Sequence, residues 1–172
     1  MIARQPWFER RFSFDLPVAA APGLIERLRG TPARLHTRLS DISPPSLIAR
    51  LDNRWSMQEN AGHLLDLEPL WMARVRDLRS GRSELEAADL TNRGTDEADH
   101  NARPLATILA EFAAARGHLV HACEAAEEEL WLRSARHPRL GTQMRLLDLA
   151  FFVAEHDDHH LAAITELLQR SG

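Results

Sequence analysis

"FVAEHDDHHLAAI", residues 152–164, sets three histidines and two aspartates into five consecutive positions between apolar flanks. Around it, Leu146, Leu149, Val153, His156, His160, Ile164 and Leu167 follow one another at three- and four-residue steps. That is the core seam of a bundle helix, and it carries two imidazoles. At about 100° per residue, His156 and His160 lie about 40° apart and can converge on one point. His159 lies about 60° to the other side of His156, on the flank with Phe152, so it is left out of the pair. Two neutral histidines in a seam need partners for their ring nitrogens. The spacing is compatible with a hydrogen-bonded core pair and, about equally, with two ligands of a metal.

A third ligand would tip the balance, and His63 in "QENAGHLLDLEPLW" is the candidate. "SMQE" at 56–59 has the form of a capping box, with Ser56 as N-cap and Glu59 at N3. A long helix is expected from about Met57 to Ser80, stopped by Gly81. Met57, Ala61, Leu64, Trp71 and Val75 mark its apolar face, and His63 lies about 100° from the centre of that face. If this helix packs antiparallel to the last one, His63, His156 and His160 come to similar heights. The remaining histidines fare worse: His36, His100 and His137 fall in polar or loop contexts, and His118 and His121 point off the stripe of their helix. Surface roles are expected for all five.

The rest of the chain completes a bundle. "PGLIERLRG" and "TPARLHTRLSDI" read as one helix broken at Gly30, with Thr31 and Pro32 able to restart it. Pro44 and Pro45 open a short turn over 44–50, with Ser43 as its cap. Residues 81–103 are polar and without apolar period, a long loop. Leu105, Leu109, Phe112, Leu119 and Cys123 stripe a helix over about 103–126. A shorter loop around "SARHPRLG" leads to the last helix, over about 142–169. Tyrosine is absent and β-branched residues are sparse, so nothing argues for a sheet. The expected architecture is an all-α four-helix bundle in one domain over 1–172. The twenty-residue loop permits the second and third helices to run parallel, giving up-down-down-up topology.

Composition excludes several function classes. Apolar residues make up 44% and charged residues 27%, as in an ordinary soluble globular protein. A net charge of −4 gives no basic stripe for nucleic acid. All 21 basic residues are arginine, so lysine Schiff bases and P-loop lysines are ruled out. Cys123 is the only cysteine, which excludes an intrachain disulfide and a cysteine zinc site and fits a cytoplasmic location. The first residues lack the apolar region of a secretory signal, and "LLDLAFFVA" (146–154) is too short to span a bilayer. Neither membrane nor nucleic acid is expected as a partner.

Two charged residues interrupt the apolar stripes: Glu68 on the second helix and Arg116 on the third. A structural ion pair between them is the favoured reading, over a general base or a group supporting a ligand. Asp157, directly after His156, could orient an imidazole; on a solvated helix face it would do nothing of the kind.

"RWSMQENAGHLLDLEPLWMARV" followed at a distance by "AEHDDHHLAAI" resembles the DinB-like (DinB/YfiT-like) superfamily of metalloenzymes, in the branch with H-x-x-x-H on the last helix. The resemblance runs from about Leu24 to Leu168 and includes "LRGTPARL". It implies a four-helix bundle, often a homodimer, with one divalent metal (Zn, Ni, Fe or Mn) held by His63, His156 and His160. Members with known activity are similar to S-transferases or isomerases that use bacillithiol, mycothiol or glutathione. The expectation is therefore a metal-dependent, thiol-linked transferase acting on a small molecule. A non-catalytic scaffold acting through a dimer surface or a partner, and a metal-assisted hydrolase, stand as alternatives.

Overall fold

The computed structural model of the protein describes residues 4–52 and 54–171. Eight α-helices are seen among them: α1 (Ala21–Leu39), α2 (Pro44–Leu47), α3 (Met57–Asp66), α4 (Glu68–Ser80), α5 (Arg93–Glu97), α6 (Leu105–Glu124), α7 (Glu128–Leu132) and α8 (Leu146–Ser171). Two strands, β1 (Ser134–Arg136) and β2 (Gln143–Arg145), form an antiparallel hairpin. No helix among the described residues is long and apolar enough to cross a membrane.

Four long rods make the bundle: α1, the α3–α4 pair, α6 and α8. Both α1 and the α3–α4 rod pack on α6 and on α8, so α1 and α3–α4 stand diagonally opposite. Two apolar clusters fix the directions. One joins Leu24 and Leu28 to Trp71, Val75, Leu119 and Leu149; the other joins Leu35 and Leu39 to Met57, Phe112 and Ile164. Hence α1 and α8 run one way, and α3–α4 and α6 run the other. The bundle is up-down-down-up, with 81–104 as its long crossover.

Between the two clusters each rod contributes a polar residue at mid-height. Thr31, Glu68, Arg116 and Asp157 are all at most 1% exposed. The apolar layers above and below supply the driving force, each buried Leu or Phe being worth about 1.5–3 kcal/mol.

Local differences from the sequence reading have local causes. No break occurs at Gly30: α1 runs through it with Pro32 inside. Thr31 is not a cap; its hydroxyl donates to Asp157 Oδ2 at 2.8 Å. Pro32 lacks the N–H that would have served the Leu28 carbonyl, and Arg116 Nη1 donates to that oxygen instead, at 3.3 Å. The expected 57–80 helix is two segments that meet at Leu67, because Pro69 at the start of α4 removes one ladder bond. The capping box at Ser56 and Glu59 is present in full. Residues 134–145 form the hairpin that the sequence did not suggest, and α8 begins only after it. Leu85 N and Arg136 N exchange hydrogen bonds with Arg136 O and Ser83 O, stitching the crossover to β1.

Candidate metal centre

The three histidines meet. On α8, His156 and His160 are one turn apart, with ring centroids 4.5 Å from each other. His63 from the antiparallel α3 lies 5.3 Å from His156 and 4.8 Å from His160. All three are buried, and one ring nitrogen from each falls within 4.8 Å of the others.

Hydrogen bonds decide which nitrogens face inward. The Thr95 hydroxyl has one proton and donates it to Asp66 Oδ2 at 2.8 Å. Its oxygen must therefore accept from His63 Nδ1–H, 2.9 Å away, which leaves the His63 Nε2 lone pair free. Asn60 commits its amide N–H groups to the Ser56 and Trp55 carbonyls. Its Oδ1 then accepts from His160 Nδ1–H at 2.8 Å, so Nε2 is again the free lone pair. His156 Nδ1 is buried and makes no hydrogen bond. Two fixed tautomers and one orphaned ring nitrogen fit a bound divalent cation, and neutral imidazoles are what such a cation takes.

Burial keeps these rings neutral. It pushes His63 down to about 4 against the pull of Asp66, and it holds His156 and His160 well below the ordinary histidine value. Trp7 meets the His156 ring edge-on at 4.9 Å, and Trp55 lies 4.7 Å from His63. The cluster opens on a cleft of about 990 Å³.

Glu68 and Arg116 pair as the sequence suggested, at 2.6 and 2.9 Å. Asp157 neither orients an imidazole nor faces solvent: it is fully buried, bonded to Arg116 at both oxygens and to Thr31. Burial alone would depress Arg116, but Asp157 and Glu68 override it and hold the guanidinium above its ordinary value. Burial, with Asp157 adding to it, pushes Glu68 up to about 7. None of the three hydrogen-bonds a histidine of the cluster.

His159 stays outside the triad, as its helix phase predicts. It lines the cleft and takes Arg4 as a partner, and burial with the Arg4 charge lowers it to about 4. The surface reading holds for His36, His118 and His121 and fails for two others. His100 is 1% exposed and bonds Asp66 Oδ2 at 2.8 Å through Nε2. His137 is 2% exposed and lines the cleft. Sequence reasoning also missed Asn60, Asp66 and Thr95. A glycine at 62, inside a strong helix and next to His63, was the available signal for a close approach there. Cys123 is buried, which pushes its thiol up to about 12.

Comparison with known proteins identifies the family and the fold. The model of the DinB superfamily matches residues 27–164. No curated protein matches the chain at a significant level. Among solved structures, the chain is similar to YfiT from Bacillus subtilis, described as a probable metal-dependent hydrolase with an unusual four-helix bundle topology. The two share 20% identity with a TM-score of 0.83, over 95% of this chain and 94% of that one, which establishes the likeness of fold.

Proposed function

The chain belongs to the DinB superfamily, and from that premise we propose that it is a metal-dependent enzyme whose single divalent cation is held by His63, His156 and His160. The observation that carries this reading is the convergence of three neutral, buried ring nitrogens at the base of an open cleft. Three imidazoles leave coordination positions free, the arrangement of a catalytic site rather than a closed structural one. A divalent cation there supplies Lewis acidity that turns a thiol or a water into a nucleophile near neutral pH. Asp66, acting through Thr95, holds His63 in its tautomer, and Asn60 does the same for His160. Trp7 and Trp55 keep water from the outer edges of the rings.

The nucleophile comes from outside the chain. Cys123 is buried and its thiol stays protonated, so it cannot attack. We read the reaction as thiol-dependent S-transfer to a small electrophile. The size of the cleft supports this, since about 990 Å³ is at the upper end for one drug-sized ligand and has room for a thiol beside a second molecule. Metal-assisted hydrolysis is the second reading, favoured by the likeness to YfiT.

Protein purified without added nickel is expected to carry about one divalent metal per chain by elemental analysis. His63→Ala, His156→Ala and His160→Ala should each lose it, and His159→Ala should keep it. Full occupancy in a His156→Ala/His160→Ala double variant would exclude the site. The loaded protein is then assayed for conjugation of bacillithiol, mycothiol and glutathione to small electrophiles, and for ester and amide hydrolysis. Conjugation above the His63→Ala blank supports transfer, and hydrolysis alone supports the second reading. Bound metal with neither activity makes the protein a metal-binding scaffold.

A further inference from the structure

Among the described residues two arginines, Arg74 and Arg116, are fully buried, and their surroundings differ. Arg116 is answered by two carboxylates. Arg74 on α4, equally buried at 1% exposure, has no ion-pair partner among the described residues. Its Nε donates to the Glu86 carbonyl at 2.9 Å, and the guanidinium lies 5.3 Å from the Trp71 ring centre. Neither Nη hydrogen-bonds a described residue. Asp77 and Glu86 attract its charge without touching it, yet burial and the neighbouring Arg139 still pull its pKa down to about 10. A buried cation so incompletely compensated is costly, and its retention asks for a ligand.

Two further donors look for an acceptor beside it, both on the β1–β2 connection. His137 Nδ1 accepts from Leu140 N–H at 3.2 Å, so the ring proton sits on Nε2, and that atom is buried with no partner. Arg139 Nη2 is likewise buried and unpartnered. The fields of Arg74 and Arg139 overlap at His137 and push its pKa, already lowered by burial, to about 3. Nearby carboxylates do not close the gap. Asp77 accepts from Glu86 N–H and Arg82, Asp89 caps its own loop at Thr91 and Arg93, and Glu86 is exposed.

We propose that Arg74, Arg139 and His137 form an oxyanion-binding pocket that takes the carboxylate or phosphate group of a small-molecule ligand. All three line the same cleft as the histidine cluster. Trp71 links the two places, 5.7 Å from His156 on one side and in contact with Arg74 on the other. Phe152 lies 5.3 Å from His137 and completes the apolar wall. The ligand class follows: an oxyanion at one end, a flat or apolar body against Trp71 and Phe152, and the other end at the histidines. That last placement rests on the proposed metal reading; the anion pocket does not.

The test is calorimetric titration with inorganic phosphate and with benzoate at low ionic strength, on the protein as purified and after chelation. Saturable binding of one anion per chain is expected in both, weakened about tenfold or more by Arg139→Gln through loss of a charged donor. Arg170→Gln, whose arginine pairs with Asp52 at the cleft rim, should bind like the parent. Absence of saturable binding would overturn the pocket. So would binding that disappears on chelation and ignores Arg139→Gln, since the anion would then sit at the histidines. An equal effect of the two substitutions would reduce the site to general charge and overturn it too. If Arg139→Gln does not fold, Arg139→Lys is read in its place; it keeps the charge, loses the fork and should still weaken binding. Metal content is measured on the same samples, so loss of the metal reading and loss of the anion pocket are separately visible.

Discussion

Arg116 satisfies five demands at once: Glu68, both oxygens of Asp157, the carbonyl stranded by Pro32, and the face of Phe112 at 4.9 Å. Arg116→Leu leaves two carboxylates and a carbonyl buried without their donor. Unfolding free energy should fall by about 3–5 kcal/mol in urea titrations, the usual loss when one partner of a buried pair is removed. A parent-like midpoint would contradict the buried network. This network was half legible in the sequence. Glu68 and Arg116 each interrupt an apolar stripe, which marks them as a pair. Asp157 carries no such mark, because the polar run 156–160 around it hides which face it occupies. The histidines were the clearest case: a four-residue step in a seam, plus one residue at matching depth on an antiparallel rod. Asp66 and Thr95 were hidden because no periodic signal relates the end of one helix to a residue of a short helix 29 positions on.

Helix α3 shows how an element can be shaped by what lies over it. Gly62 sits in mid-helix, where Ala would ordinarily stabilise by about 0.8–1 kcal/mol. Here an added Cβ would come within 2.2 Å of the His100 ring, so the sign reverses. Gly62→Ala should displace His100 from Asp66 and disturb the Thr95 support of His63. It is expected to lower the melting temperature and weaken metal retention against a competing chelator. A variant more stable than the parent, with unchanged metal affinity, would show that the crossover is not seated on α3. The two prolines inside the rods divided the sequence reading. Pro32 sits in an unbroken helix because Arg116 takes over the orphaned carbonyl, a partner 88 residues away that no local pattern announces. Pro69 does open a new segment, and the apolar period passing straight through it concealed the joint.

For the molecule as a whole, the long crossover permitted the observed topology without demanding it, whereas short loops would have forced antiparallel neighbours throughout. The hairpin was unreadable because its three-residue strands are below the length at which alternation means anything. Stability against acid is also a property of the whole. His63, His137 and His159 are held neutral at values of about 3–4, below the unfolded value near 6.5. Between those limits the unfolded chain binds more protons, so their contribution is complete above about pH 6.5 and is lost as pH falls toward 4. Glu68, raised to about 7, works in the opposite direction: its contribution is largest in acid and is lost as pH rises through 7. Three groups outweigh one, so the urea midpoint of metal-free protein should fall steadily from pH 7 to pH 5; a flat or rising midpoint would count against buried neutral histidines. Finally, α8 packs parallel to α1 across a separation of about 126 residues, and it carries Asp157 and two of the three clustered histidines. During synthesis the first three rods emerge with a groove where α8 belongs, and with Arg116 lacking one of its two carboxylates. Until α8 has emerged, such a chain leaves exposed the apolar surface that α8 would cover, which favours aggregation. Cut after Arg145, it should bind hydrophobic dyes and melt without cooperativity.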